Sequence, residues 1–190
     1  MDWTGNRHSV EGCLGVFGKE EREQHDYYAT TPKAAEWLIK LENLNKNIWE
    51  CACGEGHLGK VFENNGFNVK KTDLIDRGYG EGGVDFLKQT EIFDGDIVTN
   101  PPYKYAQEFV EHALELVKDG NKVCMFLKVQ FLEGKARRKL FDEHPPKTVW
   151  VSSGRLQCGK NGVFQGSMVA YAWYVWEKGY KGDTTIKWFN

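Results

Sequence analysis

The chain has 190 residues, of which 41% are hydrophobic, 27% charged and 14% aromatic, and this predicts one globular domain with no room for a second full one. No run approaches the roughly 18 apolar residues of a membrane helix, and residues 1–20 lack the apolar stretch of a signal peptide, so we expect a cytoplasmic protein that does not associate with a membrane. The net charge of −2 excludes a surface that is basic all round and binds nucleic acid over its whole extent.

Residues 1–26 are predicted to form an N-terminal loop or partly ordered arm, and residues 27–190 a single domain. A helix over residues 32–43 begins at Pro32, which suits a first helical position, with Thr30 and Thr31 before it as capping candidates. Turn signals and apolar patterns then predict a strand at 47–52, a helix at 57–64, strands at 67–72 and 96–99, a helix at 105–118 and a strand at 122–128.

The last third of the chain begins with a basic, irregular stretch that holds a short predicted helix at 133–142. Strands are predicted at 148–151 and 168–176, and residues 186–189 form either one more strand or a tail. Strands that alternate with helices predict an α/β fold with a mostly parallel sheet, helices on both faces and a late antiparallel strand. Ligands of such sheets bind outside the carboxyl ends of the strands, so the loops that follow strands are the candidate site.

Charge is concentrated in residues 118–160, which hold ten Lys and Arg against four Asp and Glu, a net charge of +6. The rest of the chain holds 15 basic and 23 acidic residues, a net charge of −8. A basic sector on an acidic body predicts a polyanionic partner along one edge, and chance clustering on solvated faces is the alternative.

Three glycines follow the strand at 47–52 with the spacing G-x-G-x-x-G, namely Gly54, Gly56 and Gly59. Glycine permits a tight turn and a close approach of a ligand to the backbone where a helix begins. Asp73 lies 19 residues after Gly54, where a carboxylate can bind ribose hydroxyls. The pattern fits NAD, FAD or S-adenosylmethionine (SAM), and a plain strand–turn–helix is the alternative.

Glu50 precedes Gly54 by four residues, in the acidic-x-x-x-Gly-x-Gly pattern seen in SAM-dependent methyltransferases. A carboxylate there suits a ligand with a cationic end, whereas it would repel the pyrophosphate of a dinucleotide. The sign of the charge therefore favours SAM as the cofactor. Cys51 is a further candidate for the cofactor site, and we expect Cys51 and Cys53 to be buried free thiols and no metal site, because neither has ligand partners at zinc spacing.

The sequence Asn100-Pro101-Pro102-Tyr103 follows the strand at 96–99. Two successive prolines fix two φ angles and remove two backbone donors, which makes this corner stiff. The Asn100 side-chain carbonyl and the Pro101 carbonyl would then be two acceptors aimed at one small region, with the flat face of Tyr103 beside them. Two acceptors can bind both hydrogens of a planar amino group and expose its lone pair to a methyl donor, so positioning and preorganised dipoles would carry the catalysis.

Together these features resemble the amino-methyltransferases that act on DNA adenine N6, in the γ-like motif order, over residues 26–128. The resemblance implies a Rossmann-like methyltransferase fold and transfer of a methyl group from SAM to N6 of adenine in DNA. The stretch Asp26-Tyr-Tyr-Ala-Thr-Thr-Pro32 looks like the N-terminal motif of that family. Its Tyr-x-Thr-Thr-Pro arrangement is similar to bacterial and phage DNA enzymes, which favours DNA as the substrate.

The resemblance also implies roles for the matching residues. Thr31 would bind the cofactor's carboxylate, and Tyr28 would pack near its methionine part. The glycine motif of the family falls on Glu50, Gly54 and Gly56, and its ribose-binding acid falls on Asp73. Its adenine-binding pair falls on Asp85 and Phe86, and its catalytic motif falls on Asn100 to Tyr103. In this interpretation Asp85 accepts a hydrogen bond from the cofactor's amino group and Phe86 covers its ring.

DNA enzymes of this type usually carry a large target-recognition domain, whereas this sequence ends at residue 190. Residues 130–166 are therefore the candidate recognition segment, with low specificity or a partner protein as alternatives. Lys135, Arg137 and Arg138 are candidates for phosphate contacts, and an ordinary solvated helix face is their alternative. Phe164 is a candidate for the second face of a flipped base opposite Tyr103, and a core position is its alternative.

Three other functions stay open. Loops of the Asn-Pro-Pro-Tyr type also occur in RNA adenine methyltransferases and in protein glutamine methyltransferases, so the same chemistry on RNA or protein is the first. A non-catalytic SAM-binding partner subunit is the second, although the intact motif speaks against it. An NAD-dependent oxidoreductase is the third, and it predicts thermal stabilisation by NAD and none by SAM.

Overall fold

The computed structural model describes residues 29–154, 156 and 169–190, together with the backbone of residues 158–159. The predicted arm at 1–26 lies outside the described residues, as do Tyr28, Phe164 and the first residue of the strand predicted at 168–176. Within the described residues the chain forms four α-helices and nine strands. In chain order they are β1 Ala29–Thr30, α1 Pro32–Leu41, β2 Asn47–Glu50, α2 Gly59–Asn64, β3 Asn68–Lys71, β4 Asp96–Thr99, α3 Ala106–Leu116, β5 Lys122–Lys128, α4 Arg138–Glu143, β6 Thr148–Ser152, β7 Cys158–Gly159, β8 Tyr171–Glu177 and β9 Thr185–Phe189.

Seven strands form the main sheet, in the order β3-β2-β4-β5-β8-β6-β9. Strands β3, β2, β4 and β5 pair in parallel, β8 runs antiparallel between β5 and β6, and β9 pairs in parallel with β6. The predicted mostly parallel sheet with a late antiparallel strand is therefore confirmed, and the segment at 186–189 is a strand rather than a tail. Strands β1 and β7 pair separately as a two-stranded antiparallel sheet.

Buried side chains alternate between the two faces of the main sheet, as the period of a strand requires. Along β5, Val123 and Met125 pack into one apolar cluster with α3 and α4, while Cys124 and Phe126 pack into the other with α1 and α2. Both faces are covered by helices, which confirms the predicted layering.

Helix α1 ends at Leu41, two residues before its predicted end at 43. Glu42 adopts an extended backbone, and its carboxylate accepts hydrogen bonds from Lys122 Nζ at 2.9 Å and Trp150 Nε1 at 2.8 Å. These partners lie far away in the sequence, so the helical pattern alone could not reveal that Glu42 leaves the helix.

The turn after β2 is longer than predicted, because β2 ends at Glu50 rather than at 52 and α2 begins at Gly59 rather than at 57. Cys53 donates its backbone N–H to the Thr72 carbonyl at 3.0 Å, and Gly56 has a φ of 82°, which an α-helix does not allow. We call residues 51–58 the glycine turn. It extends the irregular backbone at the carboxyl end of β2.

The helix predicted at 133–142 is a 3-10 turn at Lys135–Arg137 followed directly by α4. The first part of the predicted recognition segment therefore connects β5 to β6 and supplies β6 to the main sheet. Among the residues that the structure describes, no helix is long and apolar enough to cross a membrane.

Candidate active site

A cavity of about 690 Å³ opens at the carboxyl ends of three neighbouring parallel strands. Glu50 ends β2, Asp73 follows β3 and Asn100 follows β4, and each of these residues lines the cavity wall. The volume lies within the range of about 300–1,000 Å³ that is usual for small-molecule sites. The cavity thus lies at the edge of the sheet where the sequence pattern predicts a ligand.

The glycines of the turn have reasons in packing as well as in φ. A Cβ on Gly56 would lie 2.6 Å from the Tyr79 ring, and a Cβ on Gly59 would overlap Glu50 Oε2 and the Tyr79 hydroxyl. Gly54 and Gly56 both have positive φ. Other residues of this turn line the cavity: Cys51, Ala52, Cys53, His57 and Leu58. The close packing holds the wall residues of the turn in place beside β2.

Glu50 is a buried carboxyl group, with only 2% of its surface exposed. Its Oε2 atom has no hydrogen-bond partner within the described part of the chain. Burial raises the pKa of Glu50 well above its ordinary value of 4.5; the Gly59 backbone N–H and the charge of Lys71 oppose this shift, and the negative charges of Asp73 and Glu63 add to it. A buried acceptor of this kind on a cavity wall suits a ligand that brings a positive charge or a donor.

Asp73 joins the end of β3 to the glycine turn. Its Oδ2 accepts a hydrogen bond from the Gly54 backbone N–H at 2.8 Å, and its Oδ1 accepts from the Ile75 N–H at 2.9 Å. A carboxylate has about four lone-pair directions, so each oxygen keeps acceptor capacity for ligand hydroxyls while the side chain stays oriented.

The predicted adenine-binding pair, Asp85 and Phe86, also lies on the cavity wall. Asp85 Oδ1 accepts from the Leu87 N–H at 3.2 Å, and its Oδ2 pairs with Lys88 Nζ at 3.1 Å. The Phe86 ring is 2% exposed and packs against Trp49 at 5.3 Å and Phe109 at 4.9 Å between ring centroids. The aromatic cluster fixes the ring at the boundary between core and cavity.

The structure brings Asn100 and Pro102 of the catalytic motif to the cavity wall, whereas Pro101 is buried and Tyr103 half-buried. The Pro102 carbonyl accepts from the Tyr105 N–H at 2.9 Å and so begins the 3-10 turn Tyr103–Tyr105. The Tyr103 ring lies 6.1 Å from the Tyr171 ring, with Lys128 Nζ 5.0 Å from its centroid. We call Asn100–Tyr103 the Pro-Pro corner.

Asn100 contacts the strand that precedes α1. Its Nδ2 donates to the hydroxyl oxygen of Thr30 at 2.8 Å, and Thr30 is 3% exposed and lines the cavity together with Ala29. Thr31 is the N-cap residue of α1, makes no side-chain capping bond, and lies one residue beyond the wall. The structure therefore places Thr30, and not the predicted Thr31, on the cavity wall.

Several wall residues carry no signal that the motif patterns detect. Leu74 is 56% exposed and Tyr105 is 43% exposed, and both border the cavity. Lys104 lines it as well, with its Nζ 5.0 Å from the centroid of the Tyr105 ring. Their place in the sequence next to a predicted site residue is the one signal that could have found them. Leu74 directly follows Asp73, and Lys104 and Tyr105 directly follow the Pro-Pro corner. Arg77 also lines the wall, and its place in a glycine-rich loop gave no such clue.

The basic residues predicted to contact phosphate lie outside the cavity wall. Arg137 donates from Nε to the Phe131 carbonyl at 2.9 Å and from Nη2 to the Glu133 carbonyl. Arg138 Nε bonds both oxygens of Asp142 at 2.8 Å, on an exposed face of α4. Lys135 is exposed in the turn before α4. We call Lys135–Glu143 the basic helix, and a contact with phosphate stays a prediction for it.

Cys51, Cys53 and Cys124 are buried free thiols, which confirms the prediction for the first two. Burial raises the pKa of Cys53 to about 12 and that of Cys51 well above its ordinary value, so neither is a thiolate at neutral pH. In the described ranges no group of three or more His, Cys, Asp or Glu residues is arranged to hold a metal ion.

Solved structures of other proteins share this fold, although the sequence matches no protein-family model and no curated protein. A Listeria monocytogenes protein assigned as a class I SAM-dependent methyltransferase superimposes with a TM-score of 0.65 at 12% identity, over 90% of this chain and 69% of that one. A Pyrococcus horikoshii protein assigned as an RNA methyltransferase gives 0.60 at 12% identity, over 91% and 99%. A protein assigned as the modification subunit of a type I restriction enzyme from Vibrio vulnificus gives 0.59 at 11% identity, over 93% and 48%.

At these identities the similarity defines the fold alone. The chain has the Rossmann-like α/β architecture of class I methyltransferases, with the cavity at the carboxyl ends of its parallel strands.

Proposed function

We propose that the chain is a methyltransferase that uses SAM and transfers the methyl group to N6 of adenine in DNA. One observation carries the proposal: the Pro-Pro corner and the acidic end of β2 border the same cavity, although Asn100 and Glu50 lie far apart in the sequence. The rest of the wall is chemically consistent with this cofactor and this target.

The donors and acceptors of the wall fit SAM better than a dinucleotide. Glu50, Asp73 and Asp85 place three carboxyl groups on the cavity, and these suit a ligand with an ammonium group, a sulfonium, ribose hydroxyls and an exocyclic amine. The pyrophosphate of NAD would meet repulsion from Asp73 and Asp85. When bound, SAM supplies an electrophilic methyl group.

The roles that we propose for the cofactor site follow the wall from one end to the other. Glu50 and Cys51 lie beside the cationic part, with Tyr28 and Thr31 near the methionine carboxylate. Asp73 accepts from the ribose hydroxyls, and its two backbone hydrogen bonds hold it in place to do so. Asp85 accepts from the adenine amino group of SAM, and Phe86 packs against the ring.

For the target we propose that Asn100 Oδ1 and the Pro101 carbonyl accept the two hydrogens of the adenine amino group. The Pro102 carbonyl already accepts from Tyr105, so it is not a third acceptor. Two acceptors on one side draw the nitrogen toward tetrahedral geometry and direct its lone pair at the methyl group. The amine is acidic once methylated, so it releases its proton to water and needs no strong base.

A transfer assay tests this function. The protein is incubated with SAM that carries a tritiated methyl group, and with duplex DNA, single-stranded DNA, RNA or lysate protein in separate reactions. We expect label in DNA, which digestion to nucleosides assigns to N6-methyladenine. Label only in RNA, or only in protein, would exclude the DNA assignment and keep the chemistry of the Pro-Pro corner.

Thermal melting with cofactors gives a faster test of the cofactor. We expect SAM to raise the melting temperature and NAD to leave it unchanged, because a ligand that binds only the folded state stabilises it. Stabilisation by NAD alone would contradict the proposed class of enzyme. Stabilisation by SAM without transfer to any substrate would favour a non-catalytic partner subunit.

A further inference from the structure

The side-chain amide of Asn100 works only in one orientation if it accepts from an amino group. Its oxygen must face the target, because the Nδ2 end would put donors against donors. An amide can rotate by half a turn at little intrinsic cost, so a neighbouring group has to hold it in place.

Thr30 is placed to do so. Its hydroxyl oxygen accepts from Asn100 Nδ2 at 2.8 Å, across 70 residues of sequence. The amide geometry directs Oδ1 away from the atom that Nδ2 contacts, so this bond turns the oxygen away from Thr30. The hydroxyl is itself fixed, since Thr30 is 3% exposed, pairs with Cys158 in the small sheet and lies two residues before the first residue of α1.

We propose that Thr30 is a positioning residue that holds the Asn100 side chain in place at the cavity wall through the hydrogen bond from Nδ2 to its hydroxyl oxygen. This inference rests on the proposed function for its effect on turnover, whereas the hydrogen bond itself can be tested without any reaction. Thr30 acts through Asn100 and forms no bond with the reacting atoms.

The kinetic test compares Thr30→Val, which keeps the shape and removes the acceptor, with Thr30→Ser, which keeps the hydroxyl. Loss of one oriented hydrogen bond is expected to lower kcat about ten-fold, with KM for SAM within about two-fold of the wild-type value. Thr30→Ser should restore most of kcat. Thr148→Val is the matched control, because Thr148 is also buried but begins β6, which lies between β8 and β9 and away from the strands whose ends form the cavity.

A second measurement does not depend on activity. In protein labelled with ¹⁵N-asparagine, the Asn100 side-chain NH₂ signals are assigned by their absence in Asn100→Ala. We expect slow hydrogen exchange of these protons in the wild type and in Thr30→Ser, and faster exchange in Thr30→Val.

The two measurements separate the two proposals. If the wild-type protein transfers no methyl group but the amide protons are protected by Thr30, the proposed function fails and the Thr30 contact stands. If the wild type is active and Thr30→Val matches it in kcat and in amide exchange, the positioning role is wrong. An equal loss in Thr30→Val and Thr30→Ser, or a loss of melting temperature that accounts for the fall in kcat, would also overturn it.

Discussion

The carboxyl edge of the sheet and the basic helix both carry predicted ligand contacts, but their polar groups have different partners. At the carboxyl edge, Glu50 keeps a buried oxygen, Oε2, that lacks a hydrogen-bond partner among the described residues, and Asp73 is held by backbone N–H groups that leave acceptor capacity. In the basic helix, Arg137 is bonded to the carbonyls of Phe131 and Glu133, in the segment that precedes its own turn, and Arg138 is bonded to Asp142. One region presents its polar groups to a cavity, and the other satisfies them locally.

The difference shows that a cluster of charged residues in a sequence is weak evidence for a ligand contact. A polar residue whose position is fixed by the local backbone is stronger evidence. A strand end, a positive-φ glycine and two prolines fix the positions of Glu50, Gly56 and Asn100 before any ligand arrives. An arginine on a short helix can reach several partners, and here those partners lie within a few residues. The predictions below test this contrast from the largest expected effect to the smallest.

The largest effect is expected for Asn100→Ala, which removes the side-chain acceptor of the Pro-Pro corner. We expect kcat for methyl transfer to fall about 100- to 1,000-fold, the usual effect of losing one preorganised polar group in an active site. The dissociation constant of SAM, measured by calorimetry, should change little, because other residues hold the cofactor.

The matched control is Asn68→Ala, at the amino end of β3, where the amide bonds only Asn47 among the described residues. This variant should transfer methyl groups at the wild-type rate. Wild-type turnover in Asn100→Ala would end the proposed mechanism and remove the contrast between the two regions.

The next effect is expected on cofactor affinity in Asp73→Asn. The change removes a charge and one acceptor at the end of β3 while keeping the shape, and hydrogen bonds to charged groups contribute about 1.5–3 kcal/mol. We expect SAM to bind about 10- to 100-fold more weakly, with the effect visible in calorimetry. Asp76→Asn is the control, since Asp76 is exposed and, among the described residues, its side chain accepts a hydrogen bond only from the Gly78 N–H in the same loop. Equal weakening in both variants would argue against a ribose contact.

How much of this site could be predicted depends on the range of the interactions. Strands β4 and β5 occupy the predicted residues, because their buried apolar runs are bounded by Gly95 and Pro101 and by Gly120. The corner at Asn100 and the acid at Asp73 follow from such strand ends. The contact between Thr30 and Asn100 spans 70 residues, and no local pattern encodes it. The same holds for Glu42, whose partners in β5 and β6 end α1 early.

A smaller effect, on stability, is expected for Glu50→Gln in the absence of ligand. The pKa of Glu50 is raised in the folded state, so the folded chain binds this proton more tightly than the unfolded chain does. The stability of the wild type should therefore fall as pH rises above about 4.5 toward the folded-state pKa, and Gln removes this loss. We expect the melting temperature of the variant to exceed that of the wild type by a margin that grows as the pH rises above about 4.5.

Glu63→Gln is the control with the opposite sign. The hydrogen bond from Lys71, with Nζ 2.6 Å from Oε1, lowers the pKa of Glu63. Its stabilising contribution is present above the unfolded-state pKa and is lost as pH falls through the folded-state pKa. The Glu63→Gln variant should therefore melt lower than the wild type at pH 7 and approach it in acid. If the melting temperatures of the two variants changed with pH in the same way, the pKa of Glu50 would not be raised in the folded state.

The smallest effect is expected when a single basic residue that contacts a DNA phosphate is neutralised. The salt dependence of DNA binding then shows which of the two regions makes the phosphate contacts. Each phosphate contact contributes about 0.9 to the slope of log K against log salt for duplex DNA. We expect Lys104→Gln, at the cavity wall, to reduce the slope by about that amount. Arg138→Gln should reduce it by less than about half as much, because Asp142 already neutralises the guanidinium charge on α4. Fluorescence anisotropy of labelled DNA over a salt series measures both slopes. A larger change in Arg138→Gln than in Lys104→Gln would assign the phosphate contact to the basic helix and would reverse the contrast between the two regions.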